Sequence, residues 1–597
     1  MASPCVRDSS GACCDGCCPN PFVGHPEFHA LAPKSPTTAA SARKEFKLTT
    51  TTSLFPTNVH FTNHESLPSL QESYSNFTKV FPQYLMNDEA DQVRSQHYFH
   101  LSLSNHVCFD YIGHGLFSYT QLQAPSSSSS SLQLQPPFFD VCYKSVNLNS
   151  QMQYGSEESE LECEIRKRIM GFMNIDEDDY TMVFTANQSS AFKLLAESYP
   201  FHSNENLLTV YDYENEAVEA MVESTKKRGA RVKSAEFSWP NLKIHSERLN
   251  KLLGKSKKRK KGLFVFPLQS RVSGARYSYL WMSLAQDNGW HVLLDASALG
   301  PKHMDTLGLS LFKPDFLICS FYKIFGENPS GFGCLFVKKS SASVLQSSTG
   351  AASVGIVSLV PAMRLSQMTE GSTSTDVEME QGSKSELQKD NISPPEIVEL
   401  ETTNESTQSK IREISIIESS TKVECKGLDD ADSLGLILIS QRARYLINWL
   451  LNALMNLRHP YLEHGLPLVR IYGPKVMFNR GPAVAFNIYD WNGEKVDPAL
   501  VQKLADRYNI SLSCGFLVNI WFSDKHAEER EMVLERRCGD GDRNDRGISV
   551  VTAALGFLTN FEDTYRLWAF VSRFLDADFV EKERWRYLAL NQRTIEI

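Results

Sequence analysis

Leu317-Ile318-Cys319-Ser320-Phe321-Tyr322-Lys323-Ile324-Phe325-Gly326 is a run of apolar and β-prone residues that closes on a single lysine. A turn-rich segment, Gly326-Glu327-Asn328-Pro329-Ser330-Gly331-Phe332-Gly333, follows it. The run reads as a buried strand. A solvated cation has little reason to stand at the mouth of such a strand. An amine kept partly desolvated, so that it can attack a carbonyl, has a good one. Lys323 is therefore a candidate for covalent catalysis, and its neighbours are the place to look for groups that would serve with it.

Working outward, strands and helices alternate. The pattern predicts strands over 180–185, 207–211, 262–267, 291–294, 316–320 and 333–337. It predicts helices over 188–198, 216–228 and 280–288. Strands apolar on both faces, alternating with helices, mean an open and mostly parallel α/β sheet. In such sheets ligands gather at the carboxyl ends of the strands.

Two further features fall at such ends. His291-Val292-Leu293-Leu294-Asp295-Ala296-Ser297 puts Asp295 at the end of an apolar strand, 28 residues before Lys323. Val183-Phe184-Thr185-Ala186-Asn187-Gln188-Ser189-Ser190 runs from a strand through a turn into a helix. Exposed N–H groups at a helix start bind an anion, and serine hydroxyls add donors. The usual glycine of such a turn is absent, and Asn187 tolerates a left-handed backbone better than most residues. Taken singly, the turn is also plain helix capping and Asp295 also a turn residue. Taken in order, an anion turn, a strand-end Asp and a strand-end Lys suit pyridoxal phosphate (PLP). Lys323 would be the Schiff-base lysine, Asp295 the partner of the protonated pyridine nitrogen, and Gln188, Ser189 and Ser320 the phosphate ligands.

Composition sets the limits. The chain has 597 residues, 42% hydrophobic and 22% charged, with a net charge of −9. That is a globular balance, long enough for a large domain and a smaller one. An acidic balance argues against nucleic-acid binding, and no apolar run reaches the roughly 18–20 residues of a membrane span. No secretory signal opens the chain, so its 13 cysteines are expected to be reduced thiols and the cytoplasm is the expected compartment.

The expected organisation has four parts. Residues 1–66 form a Ser/Thr/Pro-rich tail with a cysteine cluster, Cys13-Cys14-Asp15-Gly16-Cys17-Cys18, too tight to surround one tetrahedral zinc, and no metal site is expected. Residues 67–365 form the large PLP-binding α/β domain. It contains a helical stretch over 67–101, a serine run over 126–131 and a basic connector over 255–261. Residues 366–430 are an acidic, Ser/Thr-rich disordered insertion, and residues 431–597 a small α+β domain that opens on an apolar helix over 434–457.

Ser320-Phe321-Tyr322-Lys323-Ile324-Phe325-Gly326 resembles the lysine motif of the eukaryotic molybdenum cofactor sulfurase family, whose N-terminal domain is similar to cysteine desulfurases and class V aminotransferases. Three other stretches resemble that family in the same order. These are Phe184-Thr185-Ala186-Asn187-Gln188-Ser189, Gln269-Ser270-Arg271-Val272-Ser273-Gly274-Ala275-Arg276-Tyr277, and Leu555-Gly556-Phe557-Leu558-Thr559-Asn560-Phe561-Glu562-Asp563. The resemblance covers about residues 67–574. It implies PLP-dependent transferase fold type I and a homodimer with its site near the subunit interface. It also implies an amino-acid substrate with a possible sulfur acceptor, and places Tyr322 and Arg271 beside the cofactor. The C-terminal domain that carries the molybdenum cofactor in full-length sulfurases is expected to be lacking.

Departures from the family pattern matter as much. The ring-stacking histidine is replaced by Glu214-Asn215, which assigns Asn215 to the cofactor ring. Arg271 stands where an asparagine would touch the phenolic oxygen. Phe516 and Val518 stand where the persulfide-forming cysteines would be, with Cys514 displaced by two residues as the remaining candidate acceptor. Thr552 stands where an arginine would grip a substrate carboxylate. The expected function is a PLP-dependent transferase or lyase with classical desulfurase activity in doubt. The alternative is a catalytically inactive relic of the same fold that acts as a binding or regulatory protein.

Overall fold

A computed structural model describes residues 54–55, 60–86, 88–110, 116–119, 139–154, 159–202, 206–254, 262–300, 312–321, 324, 331–346, 355–361, 425–460, 466–475, 480–536 and 546–593. The Cys13–Cys18 cluster, the serine run, the basic connector and residues 366–424 of the acidic stretch lie outside these residues, as do Tyr322 and Lys323, whereas residues 425–430, expected to be disordered, lead into a helix with Cys425, Leu428 and Asp430 buried.

Seven strands make the central sheet: β1 (Tyr180–Thr185), β2 (Asn206–Thr209), β3 (Arg231–Ser234), β4 (Leu263–Pro267), β5 (His291–Asp295), β6 (Phe316–Ser320) and β7 (Gly333–Lys338). Their order is β1-β7-β6-β5-β4-β2-β3. β7 runs antiparallel to both its neighbours and the other pairs are parallel. Every residue of β4 and β6 is buried, as continuous apolar runs require when both faces are covered. On one face Leu207, Val265, Leu293 and Ile318 pack with Phe192, Leu195 and Met221. On the other Phe264, Phe266, Leu294 and Leu317 pack with Ile165, Ile169 and Met282. β3 has no counterpart among the predicted strands. Its sequence, Arg231-Val232-Lys233-Ser234, is that of an exposed edge, where charge replaces the apolar signal.

The helices of this half and its approach include α1 (Leu70–Val80), α2 (Glu160–Phe172), α3 (Gln188–Ser198), α4 (Glu216–Lys227) and α5 (Leu280–Asp287). α3 has the bounds its pattern predicts, because Asn187 caps it: its side chain accepts from the Ser190 N–H at 2.8 Å. The stretch 67–101 is broken into pieces rather than continuous, with a 3-10 turn at Pro82–Met86 and a second helix at Asp88–His97.

The second unit carries β8 (Val469–Tyr472), β9 (Ala483–Ile488), β10 (Ser513–Leu517) and β11 (Arg546–Ala554), antiparallel in the order β8-β9-β11-β10. It is backed by α6 (Lys426–Met455), α7 (Pro498–Arg507) and α8 (Phe561–Ser572). α6 begins earlier than predicted and breaks at Gly435, whose φ of 73° interrupts the helix. Phe77 of α1, Phe81 and Tyr84 sink into this unit's core with Trp449, Phe561 and Trp568, so the first helix packs here rather than on the seven-stranded sheet. Two charged pairs tie the next helix, Asp88–His97, to the same unit. Arg94 binds the Asp563 carboxylate, and Arg442, itself 1% exposed, forks onto Asp91 at 3.0 and 2.5 Å.

Candidate functional site

Asp295 is the last residue of β5 and is 2% exposed. Three neutral donors hold its carboxylate. Tyr211 Oη donates to Oδ2 at 2.9 Å, and the Ser297 backbone N–H and Oγ both donate to Oδ1, at 3.0 and 2.5 Å. Burial pushes the carboxyl above its ordinary range, while Ser297, Tyr211 and the charge of Arg271 pull it back. The same burial, reinforced by Asp295, carries the Tyr211 phenol well above its usual value, so it stays a donor.

Gln188 joins this group through one intermediary. Its Nε2 donates to Ser297 Oγ at 2.7 Å, which links the first residue of α3 to the strand-end carboxylate. The turn before α3 does not use a left-handed residue: Asn187 has φ −162°, ordinary extended backbone. Glycines opposite the turn supply the space. A Cβ on Gly333 would stand 2.7 Å from the Asn187 carbonyl oxygen, and one on Gly355 2.5 Å from Ser190 Cβ. Ser189 sits in the first turn of α3, where the helix N-terminus favours an anion.

Ser320 ends β6, two residues beyond Ile318, the cross-strand partner of Asp295. The strand that leads to the lysine is therefore the immediate neighbour of the strand that ends in the aspartate. Phe321 and Ile324, on either side of Tyr322-Lys323, are fully buried. Arg271 lies in a turn that Ser270 and Ser273 shape. Ser270 Oγ accepts from the Ser273 N–H at 3.0 Å, and Ser273 Oγ donates to the buried Asp212 Oδ2 at 2.5 Å.

Asn215 caps α4, with its Oδ1 accepting from the Ala217 N–H at 3.0 Å, and its Nδ2 lies 3.4 Å from Tyr213 Oη. Tyr213 and Tyr211 meet edge to face, ring centres 5.6 Å apart. Both line a cleft of about 960 Å³ at the carboxyl ends of β2 and β3, with Thr209, Ser234 and Asn519. Sequence reasoning missed these two tyrosines. An aromatic residue just past a strand looks like more strand, and only the fold shows that Tyr211 turns its hydroxyl to Asp295 and that Tyr213 packs on Tyr211.

Cys514 is not brought to this group. It lies on β10, and its Sγ is 3.5 Å from the Pro498 carbonyl and 3.3 Å from Gln502 Oε1, on the side covered by α7. Gly515 faces the other way, where a Cβ would come within 2.7 Å of Val272, the residue after Arg271. Burial of the sulfur, then Asp497 and Asp506, push the thiol up to about 11. The segment after it is hydrogen-bonded along its length to the tyrosine segment. The Glu214 N–H donates to the Phe516 carbonyl and the Val518 N–H to the Asp212 carbonyl, both at 2.9 Å. Asn519 Nδ2 donates to the Tyr211 carbonyl at 3.1 Å. Thr552 sits mid-sheet on β11 between Ala485 and Ser513, 1% exposed, and its Oγ1 has no hydrogen-bond partner among the described residues.

Residues 137–373 match the aminotransferase class-V family model, a span that holds Asp295, the anion turn and Lys323. Molybdenum cofactor sulfurase of Homo sapiens is 26% identical over 79% of this chain and 50% of that protein. The tomato (Solanum lycopersicum) protein of the same name is 24% identical over 82% of this chain and 58% of its own length. The chain is similar in sequence to the molybdenum cofactor sulfurases. It spans about half the length of the curated relatives it matches. Among solved structures, an apo cysteine desulfurase from Thermococcus onnurineus aligns over 81% of this chain and 98% of that one, at 15% identity and a TM-score of 0.45. The cysteine desulfurase CsdA of Escherichia coli gives the same coverage, 14% identity and a TM-score of 0.47. The α/β class expected from the sequence, a large domain on a mostly parallel sheet plus a smaller α+β unit, is the one this chain has. None of the helices among the described residues is long and apolar enough to cross a membrane.

Proposed function

We propose that the chain binds PLP and acts on an amino acid as a PLP-dependent transferase or lyase of the molybdenum cofactor sulfurase-like group, with Lys323 as its Schiff-base residue. One observation carries the reading. Asp295 is a carboxylate buried at a strand end, beside the strand that leads to Lys323, and among the described residues its hydrogen-bond donors are all neutral, with Arg271 acting on it through its charge. An anion so buried is costly unless it meets a cation. The protonated ring nitrogen of PLP is a cation of the right kind, and the donor set fits it.

The roles follow from position. Asp295 would hold the ring nitrogen protonated, and Tyr211 and Ser297 would aim its oxygens. Gln188, Ser189 and Ser320 would bind phosphate at the start of α3. Arg271 would lie by the phenolic oxygen, and Tyr322 and Asn215 would complete the surround. When bound, the cofactor supplies an electron sink for bonds broken at the carbon bearing the substrate's amino group. A homodimer, which rests on the resemblance alone, and a cytoplasmic location, expected from the sequence, belong to the same reading.

The relatives' name carries a finer proposal, transfer of sulfur to a small-molecule acceptor. Two features argue against doing this as a classical cysteine desulfurase does. The residues that replace the family's cysteines sit in a segment hydrogen-bonded to the large domain, and Cys514 faces α7 with a raised thiol. These features favour, as a second reading, a protein of this fold that binds cofactor without turning cysteine over.

The test is an absorbance titration of the purified chain with PLP, followed by a panel of amino acids that includes cysteine. The proposal expects a cofactor band that one or more amino acids perturb. A protein that takes up no PLP contradicts it. Bound PLP with no response to any amino acid selects the second reading, and rapid sulfide and alanine release from cysteine overturns the case against desulfuration.

A further inference from the structure

Three residues assigned to the site on sequence grounds surround one that was not. Tyr213 is 3% exposed, and its hydroxyl sits 3.4 Å from the Asn215 amide. Its ring meets that of Tyr211, which donates to Asp295. Burial raises the pKa of its hydroxyl most, the nearby Asp295 charge raises it further, and the Arg271 charge lowers it. Its backbone bridges to Leu517 of β10, so the segment that carries the ring is tied to the small domain as well as the large. On its outer side it lines the 960 Å³ cleft.

Asn215 is otherwise occupied. Its Oδ1 is committed to capping α4, which fixes the amide at the helix start. An amide also offers a small, polar face to an aromatic ring, whereas a tyrosine offers a wide π-face with few rotamers to freeze. We propose that Tyr213, rather than Asn215, is the side chain that covers the PLP ring, and that it forms the wall between the cofactor pocket and the cleft. Asn215 is then a positioning residue that holds the Tyr213 hydroxyl. The proposal rests on the reading of the chain as a PLP protein.

The experiment compares PLP affinity and the visible circular dichroism of bound PLP in wild type, Tyr213→Phe, Tyr213→Leu and Asn215→Ala, with far-UV spectra as the check on folding. Tyr213→Phe keeps the ring and is expected to bind within about threefold of wild type with the same dichroic band. Tyr213→Leu is expected to lose at least about tenfold in affinity and most of the band, because it keeps the bulk but not the π-face. Asn215→Ala keeps the ring but frees its hydroxyl, and is expected to weaken binding by less than about tenfold while keeping most of the band. Tyr213→Leu at wild-type affinity with an unchanged band overturns the proposal. So does a folded Asn215→Ala that loses tenfold, and this arm stands even if Tyr213→Leu does not fold. A wild type that takes up no PLP overturns the functional reading and this proposal together, which sets it apart from failure of the proposal alone.

Discussion

Tyr211 Oη donates to Asp295 Oδ2 at 2.9 Å across the end of the central sheet, and neither side chain is more than 3% exposed. Removing this donor leaves a buried carboxylate one hydrogen bond short. Tyr211→Phe is expected to cost about 1–3 kcal/mol in urea unfolding of the cofactor-free protein. The variant also has a pH signature. Tyr211 is one of the groups that pull the Asp295 pKa down against burial, so without it the carboxyl titrates higher. PLP uptake needs the ionised form and weakens as pH falls through that pKa. In Tyr211→Phe the weakening is expected to begin at a higher pH than in wild type, which a set of PLP titrations across pH would show.

Asp295→Asn separates fold from cofactor. The amide oxygen can still accept from Ser297, and the amide nitrogen can donate to Tyr211, so the local hydrogen bonds survive with one reversed. Unfolding stability without cofactor is expected to change by no more than about 1 kcal/mol. Affinity for PLP is expected to drop by at least about tenfold, because the variant has no anion for the ring nitrogen. Equal affinity in the two proteins would take Asp295 out of the site.

Cys514 gives a chemical test. Its residue is exposed, yet its sulfur is tucked against α7 and its thiol is pushed up to about 11. Alkylation by iodoacetamide, followed by peptide mass spectrometry, is expected to be slow at neutral pH and to accelerate toward pH 11. Cys514→Ser is expected to leave PLP binding and any turnover unchanged. Fast labelling at pH 7 would contradict the placement of this sulfur.

Thr552 offers a stabilising change. Its Oγ1 is buried mid-sheet with no partner among the described residues. Thr552→Val keeps the branched shape and removes the unpaired hydroxyl, and is expected to raise unfolding stability by about 1 kcal/mol. Loss of stability on that change would show that the hydroxyl is satisfied in solution.

His291 predicts how stability depends on pH. It sits half-buried at the start of β5 with Tyr199 Oη 2.6 Å from its Nδ1, and burial holds its pKa below the usual 6.5. The unfolded chain therefore takes up a proton near pH 6.5 that the folded chain refuses. The contribution of His291 to stability is full above that pH and is lost as pH falls below it, toward the folded-state pKa. Denaturant unfolding from pH 7.5 to 5 is expected to show this decline, and His291→Gln to show less of it.

Much of the sheet was legible because its strands are apolar on both faces, which separates them cleanly from the amphipathic helices between. Asp295 and Gln188 stood out for the same reason: polar residues at the ends of apolar runs are conspicuous. The edge strand Arg231–Ser234 escaped, since an exposed edge carries charge where a core strand carries valine. Tyr211 and Tyr213 escaped because their function depends on which way they point, and an aromatic past a strand end has no mark of direction. The pairing of residues 516–519 with 211–214 joins segments some three hundred positions apart, and no local pattern encodes it. Helix α1 reads as an amphipathic helix, but only the fold shows that its apolar face is spent on Trp449 and Phe561 rather than on the sheet.

The central claim is that Lys323 carries the cofactor. The most direct test is to incubate the protein with PLP, reduce with borohydride, digest, and locate the pyridoxyl group by mass spectrometry. The account predicts a single modified peptide with the label on Lys323, and no stable cofactor uptake in Lys323→Ala. A protein that binds no PLP, or one labelled elsewhere with Lys323 unmodified, would contradict it.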